Sequence, residues 1–164
     1  MRHAKSSWDD PQLSDEDRPL SPRGRKAAAR MAEYIKGAGI EPSLMLCSSA
    51  LRARQTVDLL KPAFPKGTKI KIEPRLYSAG SKELLARIRR LSPAAASVLI
   101  VGHNPAIQDL ILDLAAAAPE LKAIRSKFPT AAIAVLEADR SQWDHITPGD
   151  ASLVDFVTPK RLRG

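Results

Sequence analysis

Leu44-Met45-Leu46-Cys47-Ser48, followed at once by Ser49-Ala50-Leu51-Arg52-Ala53-Arg54-Gln55-Thr56, is the stretch that decides the fold. An unbroken apolar run of this length, without alternation, suits a parallel strand covered on both faces. The helical segment after it reaches Leu60 and stops before Pro62, because a residue preceding proline is pushed out of the α region. Ser48 or Ser49 is expected to cap that helix. A strand that runs straight into a helix is the building unit of an α/β sheet, and the flanking sequence repeats the pattern.

Upstream, residues 22–38 carry Ala27, Ala28, Met31, Ile35 and Ala38 at helical spacing, with Gly37 and Gly39 marking the exit. Downstream, residues 69–73 read as a brief, more exposed strand. Residues 82–91 form an amphipathic helix with Leu84, Leu85, Ile88 and Leu91 inward and Arg87, Arg89 and Arg90 outward. A second buried strand is expected over 98–102, a helix over 105–117, and two β-like runs over 131–137 and 153–157. No repeat or long linker interrupts this order. The pattern predicts an α/β fold, a three-layer α/β/α sandwich with a mostly parallel central sheet, in one domain spanning residues 1–164. A short basic tail follows from about residue 159.

The 164 residues can bury a core without metals or disulfides. Cys47, the single cysteine, reads as an inert core thiol. No apolar stretch approaches a membrane span, and the N-terminus lacks the apolar run of a signal peptide, so a cytoplasmic protein without membrane partners is expected. A net charge of +8, from 26 basic and 18 acidic residues, favours anionic partners. Only 4% of residues are aromatic, which leaves few stacking platforms for single-stranded nucleic acid, and no nucleic-acid partner is expected.

In such sheets ligands sit beyond the carboxyl ends of the strands. Three segments stand there: Arg2-His3-Ala4, Ser48 to Thr56, and Val101-Gly102-His103-Asn104-Pro105, with Asn104 as a cap and Pro105 as first helical residue. Arg52 is instructive. A cation in the first helical turn opposes the helix dipole, so either it stretches into water or it shares an anion with the free N–H groups. His103 stands at the equivalent place on its own helix, where a structural histidine is the plainer reading.

Taken together, Arg2-His3-Ala4, the Ser-x-x-x-Arg-Ala-x-x-Thr pattern of Ser48 to Thr56, and Gly102-His103-Asn104-Pro105 resemble the histidine phosphatase superfamily. Arg2 to Trp8, Asp17-Arg18-Pro19-Leu20-Ser21 with Gly24, and Lys127-Phe128-Pro129-Thr130 resemble its SixA-type phosphohistidine phosphatases. The resemblance runs in order from Arg2 to about Thr158. It implies a phosphoglycerate mutase-like fold and a covalent phosphohistidine intermediate on His3, with Arg2, Arg52 and His103 as the other catalytic residues. Arg18 matches an arginine near the phosphate, while Lys5 and Ser6 follow His3 and are expected to line the pocket. No metal or cofactor is implied. The expected substrate is phosphohistidine on a protein, with a small phosphomonoester as the alternative and a non-catalytic phosphate-binding module as the alternative of another class.

Some positions depart from the pattern. Ala4 replaces the glycine common in the superfamily, as it does in SixA-type members. Glu73 lies in a strand, Tyr77-Ser78 offers no carboxylate, and Glu83 is a weak substitute for a general acid. A missing acid suits phosphohistidine, whose protonated imidazole leaves readily. Only Met1 and Arg2 precede His3, where a strand of about five residues is expected. Either an apolar run precedes them in the natural chain or neighbouring strands compensate. Trp8 is expected to anchor its loop, and His145 to lie on the surface.

Overall fold

The computed structural model describes residues 1–138 and 142–162. Its elements, in chain order, are α1 (Pro22–Gly37), β1 (Leu44–Ser48), α2 (Leu51–Leu60), β2 (Lys69–Glu73), α3 (Ser81–Arg89), β3 (Val98–Val101), α4 (Ala106–Leu114), α5 (Leu121–Ser126), β4 (Ile133–Ala138) and β5 (Ala151–Val157). β1 lies between β2 and β3, parallel to both, with Leu44 opposite Lys69 and Val98. Every residue of β1 is buried, as a doubly covered strand requires.

The pleat divides this strand between two cores. Met45 and Cys47, with Leu99 and Val101 of β3, pack against Ala28, Met31 and Ile35 of α1 and Ala53, Val57 and Leu60 of α2. Leu44 and Leu46, with Ile100, pack against Leu84 and Ile88 of α3, Leu110 and Ile111 of α4, and Ile124 of α5. Alternation within one apolar run thus builds the three-layer α/β/α sandwich. β2 is the edge, and its lysines at positions 69 and 71 suit an unpaired side. β4 and β5 form a separate two-stranded antiparallel sheet, distinct from the three-stranded parallel sheet β2-β1-β3.

Residues 1–3 stitch the two parts together. Met1 donates its amine to the Ile100 carbonyl (2.8 Å) and accepts from Gly102 N–H (3.2 Å), while His3 N–H donates to the Gly102 carbonyl (3.0 Å). On the other side, Arg2 N–H donates to the Ala132 carbonyl (3.1 Å), and Ala131 N–H donates to the carbonyls of Arg2 (3.1 Å) and His3 (3.0 Å). Neighbours on both sides therefore hold the short segment. Away from the site, β3 and β4 part around a groove of about 650 Å³ whose lining includes Met1, Leu99, Ile100, Val135 and Trp143.

Three local expectations are corrected. Neither Ser48 nor Ser49 caps α2, whose N-cap is Ala50 with no side-chain bond; both hydroxyls are engaged elsewhere. Asn104 does not cap α4: its Nδ2 donates to Gln108 Oε1 (2.9 Å) and the Phe128 carbonyl (3.1 Å), and its buried Oδ1 accepts from no N–H among the described residues. Nor does α4 reach residue 117. The chain turns extended at Ala115, which pairs with Ala151. The helix over residues 121–126 escapes a periodicity reading because six residues make under two turns.

Candidate active site

His3, Arg52 and His103 come together at the carboxyl ends of the parallel strands, as the sheet topology requires. His3 follows the residues stitched to β3, Arg52 sits in the first turn of α2 beyond β1, and His103 follows β3. The two imidazole rings lie 5.0 Å apart between centroids, tilted by 55°.

The buried His3 ring has a defined tautomer. Nδ1 lies 2.7 Å from the Ala4 carbonyl, which can only accept, so Nδ1 carries the proton. Nε2 is left with its lone pair, and Arg52 Nε–H donates to it at 3.3 Å. Burial lowers the His3 pKa to about 3; the Ala4 hydrogen bond opposes this, and the charges of His103, Arg52 and Arg2 add to it. His103 falls to about 4, first through burial and then through Arg52. Its Nε2 is 2.7 Å from the hydroxyl of the fully buried Ser48, which fixes the ring, and Tyr77 meets it edge-on at 5.6 Å. Both histidines are neutral at pH 7.

Thr56 ties this floor together. Its hydroxyl accepts from Ala4 N–H (3.0 Å) and donates to the Arg52 carbonyl (2.6 Å), at full burial. Gly24 supports the loop after His3, since a Cβ there would overlap the Lys5 carbonyl. That same carbonyl accepts from Ser21 N–H (2.9 Å), and the Ser21 hydroxyl caps α1 by accepting from Gly24 N–H (3.0 Å).

The other expected residues divide. Arg2 donates from Nη1 to the Phe128 carbonyl (2.9 Å), and its Nε is buried without a hydrogen-bond partner among the described residues. Arg18 is buried with every nitrogen engaged: Nε on the Ser7 carbonyl (2.9 Å), Nη1 on Asp15 Oδ1 (2.7 Å) and Nη2 on Ser6 Oγ (2.6 Å). Ser6 thus holds Arg18 in place. Lys5 has an exposed side chain and contributes its backbone. Trp8 is no buried anchor: it is 75% exposed and lies over the Arg18 guanidinium, 3.1 Å from Cζ to the ring centroid. His145 is exposed beside Asp144. Burial pushes the Cys47 thiol up to about 12, keeping it inert.

Sequence reasoning missed Asp15. Its Oδ2 accepts from Arg52 Nη2 (2.8 Å) and Tyr77 O–H (2.9 Å), its Oδ1 from Arg18, and its backbone carbonyl from Arg52 Nη1. Burial raises its pKa, but the bonds from Tyr77, Arg52 and Arg18 outweigh this and hold it at about 2. The available signal was the spacing of Asp15 three residues before Arg18. The carboxylates weighed instead are committed elsewhere. Glu73 pairs with Arg87 (2.7 Å), and Glu83 caps α3 by accepting from Gly80 N–H (3.0 Å). Among the described residues no group of three His, Cys, Asp or Glu side chains could hold a metal ion, and no helix is long and apolar enough to cross a membrane.

The family model of the histidine phosphatase superfamily (branch 1) matches residues 1–79. Phosphohistidine phosphatase SixA of Escherichia coli K12 is 31% identical over 144 residues, covering 86% of this chain and 84% of its own. The uncharacterized Rv1276c of Mycobacterium tuberculosis H37Rv is 35% identical over 164 residues, covering 98% of this chain and all of its own. The structure of the protein histidine phosphatase SixA complexed with tungstate superposes with a TM-score of 0.75 at 28% identity, covering 99% of this chain and 97% of that one. A phosphatase of the histidine phosphatase superfamily is the class these matches and the fold define. Within it, the chain belongs to the SixA type.

Proposed function

We propose that this phosphatase removes the phosphoryl group of phosphohistidine on a protein, through a covalent intermediate on His3 and without a metal ion. The observation that carries the reading is the His3 tautomer: Nδ1–H is held by the Ala4 carbonyl, and Nε2 is unprotonated, its lone pair accepting from Arg52 Nε–H.

Nε2 attacks phosphorus in line, the P–N bond to the substrate imidazole breaks, and the leaving ring departs with the proton it already carries. Water then attacks the phosphoryl group on His3 and releases inorganic phosphate, restoring neutral His3. Arg52 stabilises charge on the equatorial oxygens, joined by Arg2, whose buried Nε has a donor to spare. His103, held neutral beside His3, supplies a further N–H to the same oxygens. Arg18 shapes the rim through Asp15 and Ser6. The exposed Trp8 and half-exposed Asp15 beside the site suit a substrate carried on another protein's surface.

The experiment is phosphate release from a phosphohistidine peptide in chelator-treated buffer, with a small alkyl phosphate as competitor. Release that needs His3, survives chelation and is poorly inhibited by the alkyl ester supports the proposal. Preference for the ester would replace the protein substrate by a small phosphomonoester, and loss of activity on chelation would remove the metal-free mechanism.

A further inference from the structure

The site has cationic donors arranged for an anion, and an anion of the chain's own already sits on them. The Asp15 carboxylate takes Arg52 Nη2 at 2.8 Å and Tyr77 O–H at 2.9 Å on one oxygen, and Arg18 Nη1 at 2.7 Å on the other. Arg52 Nε meanwhile points at His3 Nε2. One guanidinium therefore serves the candidate nucleophile with one nitrogen and Asp15 with its neighbours. A phosphoryl group arriving at His3 seeks those same Arg52 donors, because planar guanidinium groups bind carboxylate and phosphate oxygens in the same way.

We infer that Asp15 is a built-in stand-in for the phosphoryl group, which substrate must displace from Arg52; this rests on the reading of the His3 pocket as the phosphate site. Asp15 is placed to yield. Its side chain is about half exposed (51%), on a loop whose residues 9–15 are all exposed, so the carboxylate can turn into water. The backbone beside it is fixed. The Glu16 carbonyl accepts from Leu51 N–H (2.8 Å) at the start of α2, and the Glu16 carboxylate accepts from the Ser49 hydroxyl. A side chain that turns on this anchored backbone frees Arg52 Nη2 without loop movement, while Nη1 stays on the Asp15 carbonyl.

The consequence concerns affinity. A competing internal carboxylate weakens every anion at the site by a common factor. Free inorganic phosphate, which has only its oxygens to offer, then binds poorly. A substrate with further contacts on the rim starts from a tighter intrinsic affinity and stays bound at the same cost. Asp15 thus lowers the affinity of substrate and product alike, which favours release of phosphate.

The alternative is that Asp15 simply holds Arg52 in position. The two roles predict opposite results. Inorganic phosphate binding is measured by calorimetry and by inhibition of phosphate-ester turnover for the wild type, Asp15→Asn, Asp15→Ser and Arg52→Ala, each checked for a native unfolding transition. Displacement predicts that both Asp15 variants bind phosphate at least about tenfold more tightly than wild type. Unchanged or weaker binding in both overturns the inference and makes Asp15 a support for Arg52. The underlying site reading is tested separately by Arg52→Ala: if it binds phosphate as well as wild type, the pocket is not the phosphate site, whatever the Asp15 variants do.

Discussion

The floor of the pocket and its rim are built differently. On the floor, His3, Ser48, Arg52 and Thr56 are buried at the strand ends and along α2, and their polar atoms bond one another, His103 or nearby backbone. On the rim, Asp15, Tyr77 and Trp8 are partly or largely exposed, and their side chains meet one another or the two arginines. On the proposed reading the floor fixes a tautomer and a lone pair for the chemistry, while the rim places charge that can be moved and so tunes affinity. Substitutions should separate the two.

The largest effect belongs to the floor. His3→Ala should abolish phosphate release, a loss on the order of 10⁴-fold or more in kcat, with an unchanged unfolding transition. Arg52→Ala should cost on the order of 10²–10³-fold in kcat/KM, and Arg52→Lys should recover only part of it because lysine lacks the fork. Steady-state kinetics on a phosphohistidine peptide check both. A floor variant that loses only affinity would break the division.

Stability offers a finer test. Thr56→Val removes a hydroxyl that serves two buried backbone groups and should destabilise the protein by about 1–3 kcal/mol, several degrees in Tm. Acid acts in the same direction. The folded pKa values of His3 and His103, about 3 and about 4, lie below their ordinary 6.5, so the unfolded chain binds more protons. Their contribution is complete above pH 6.5 and is lost as pH falls from there to about 4 for His103 and about 3 for His3, by up to about 1.4 kcal/mol per pH unit for each group. The Met1 amine, lowered by burial from 8.0 to about 5, adds a loss between those values. Denaturant titrations at pH 5 and pH 8 should show the difference, and His103→Asn should reduce it. The smallest effect belongs to the rim. Trp8→Ala uncovers Arg18 and should change KM a few-fold while sparing kcat.

The same division explains what could be read in advance. β1 announces itself because a strand buried on both faces must be apolar throughout, and β2 is legible from its short alternating run. The strand-end rule locates the segments that hold Arg52 and His103, while the roles expected of them come only from the family resemblance. Asp15 escaped because its spacing before Arg18 is a weak signal, and nothing local in Ser14-Asp15-Glu16-Asp17 shows which of the three carboxylates turns onto Arg52. Ser48 was read as a cap because the local rule is sound, but His103, 55 residues away, claims its hydroxyl. The short N-terminal segment could not be judged from its own residues, since the bonds that hold it come from Ile100, Gly102, Ala131 and Ala132. Local signals reveal elements, whereas partners distant in sequence decide what a polar group does.

The most direct test of the account is to trap the covalent intermediate. The wild type and His3→Ala are mixed with a phosphohistidine peptide, quenched in base, and the modified peptide is mapped by mass spectrometry. The account predicts an acid-labile, base-stable phosphoryl group on His3 in the wild type and none in the variant, with turnover lost alongside it. Phosphate release at wild-type rate from His3→Ala, or a phosphoryl group found on another residue, would contradict it.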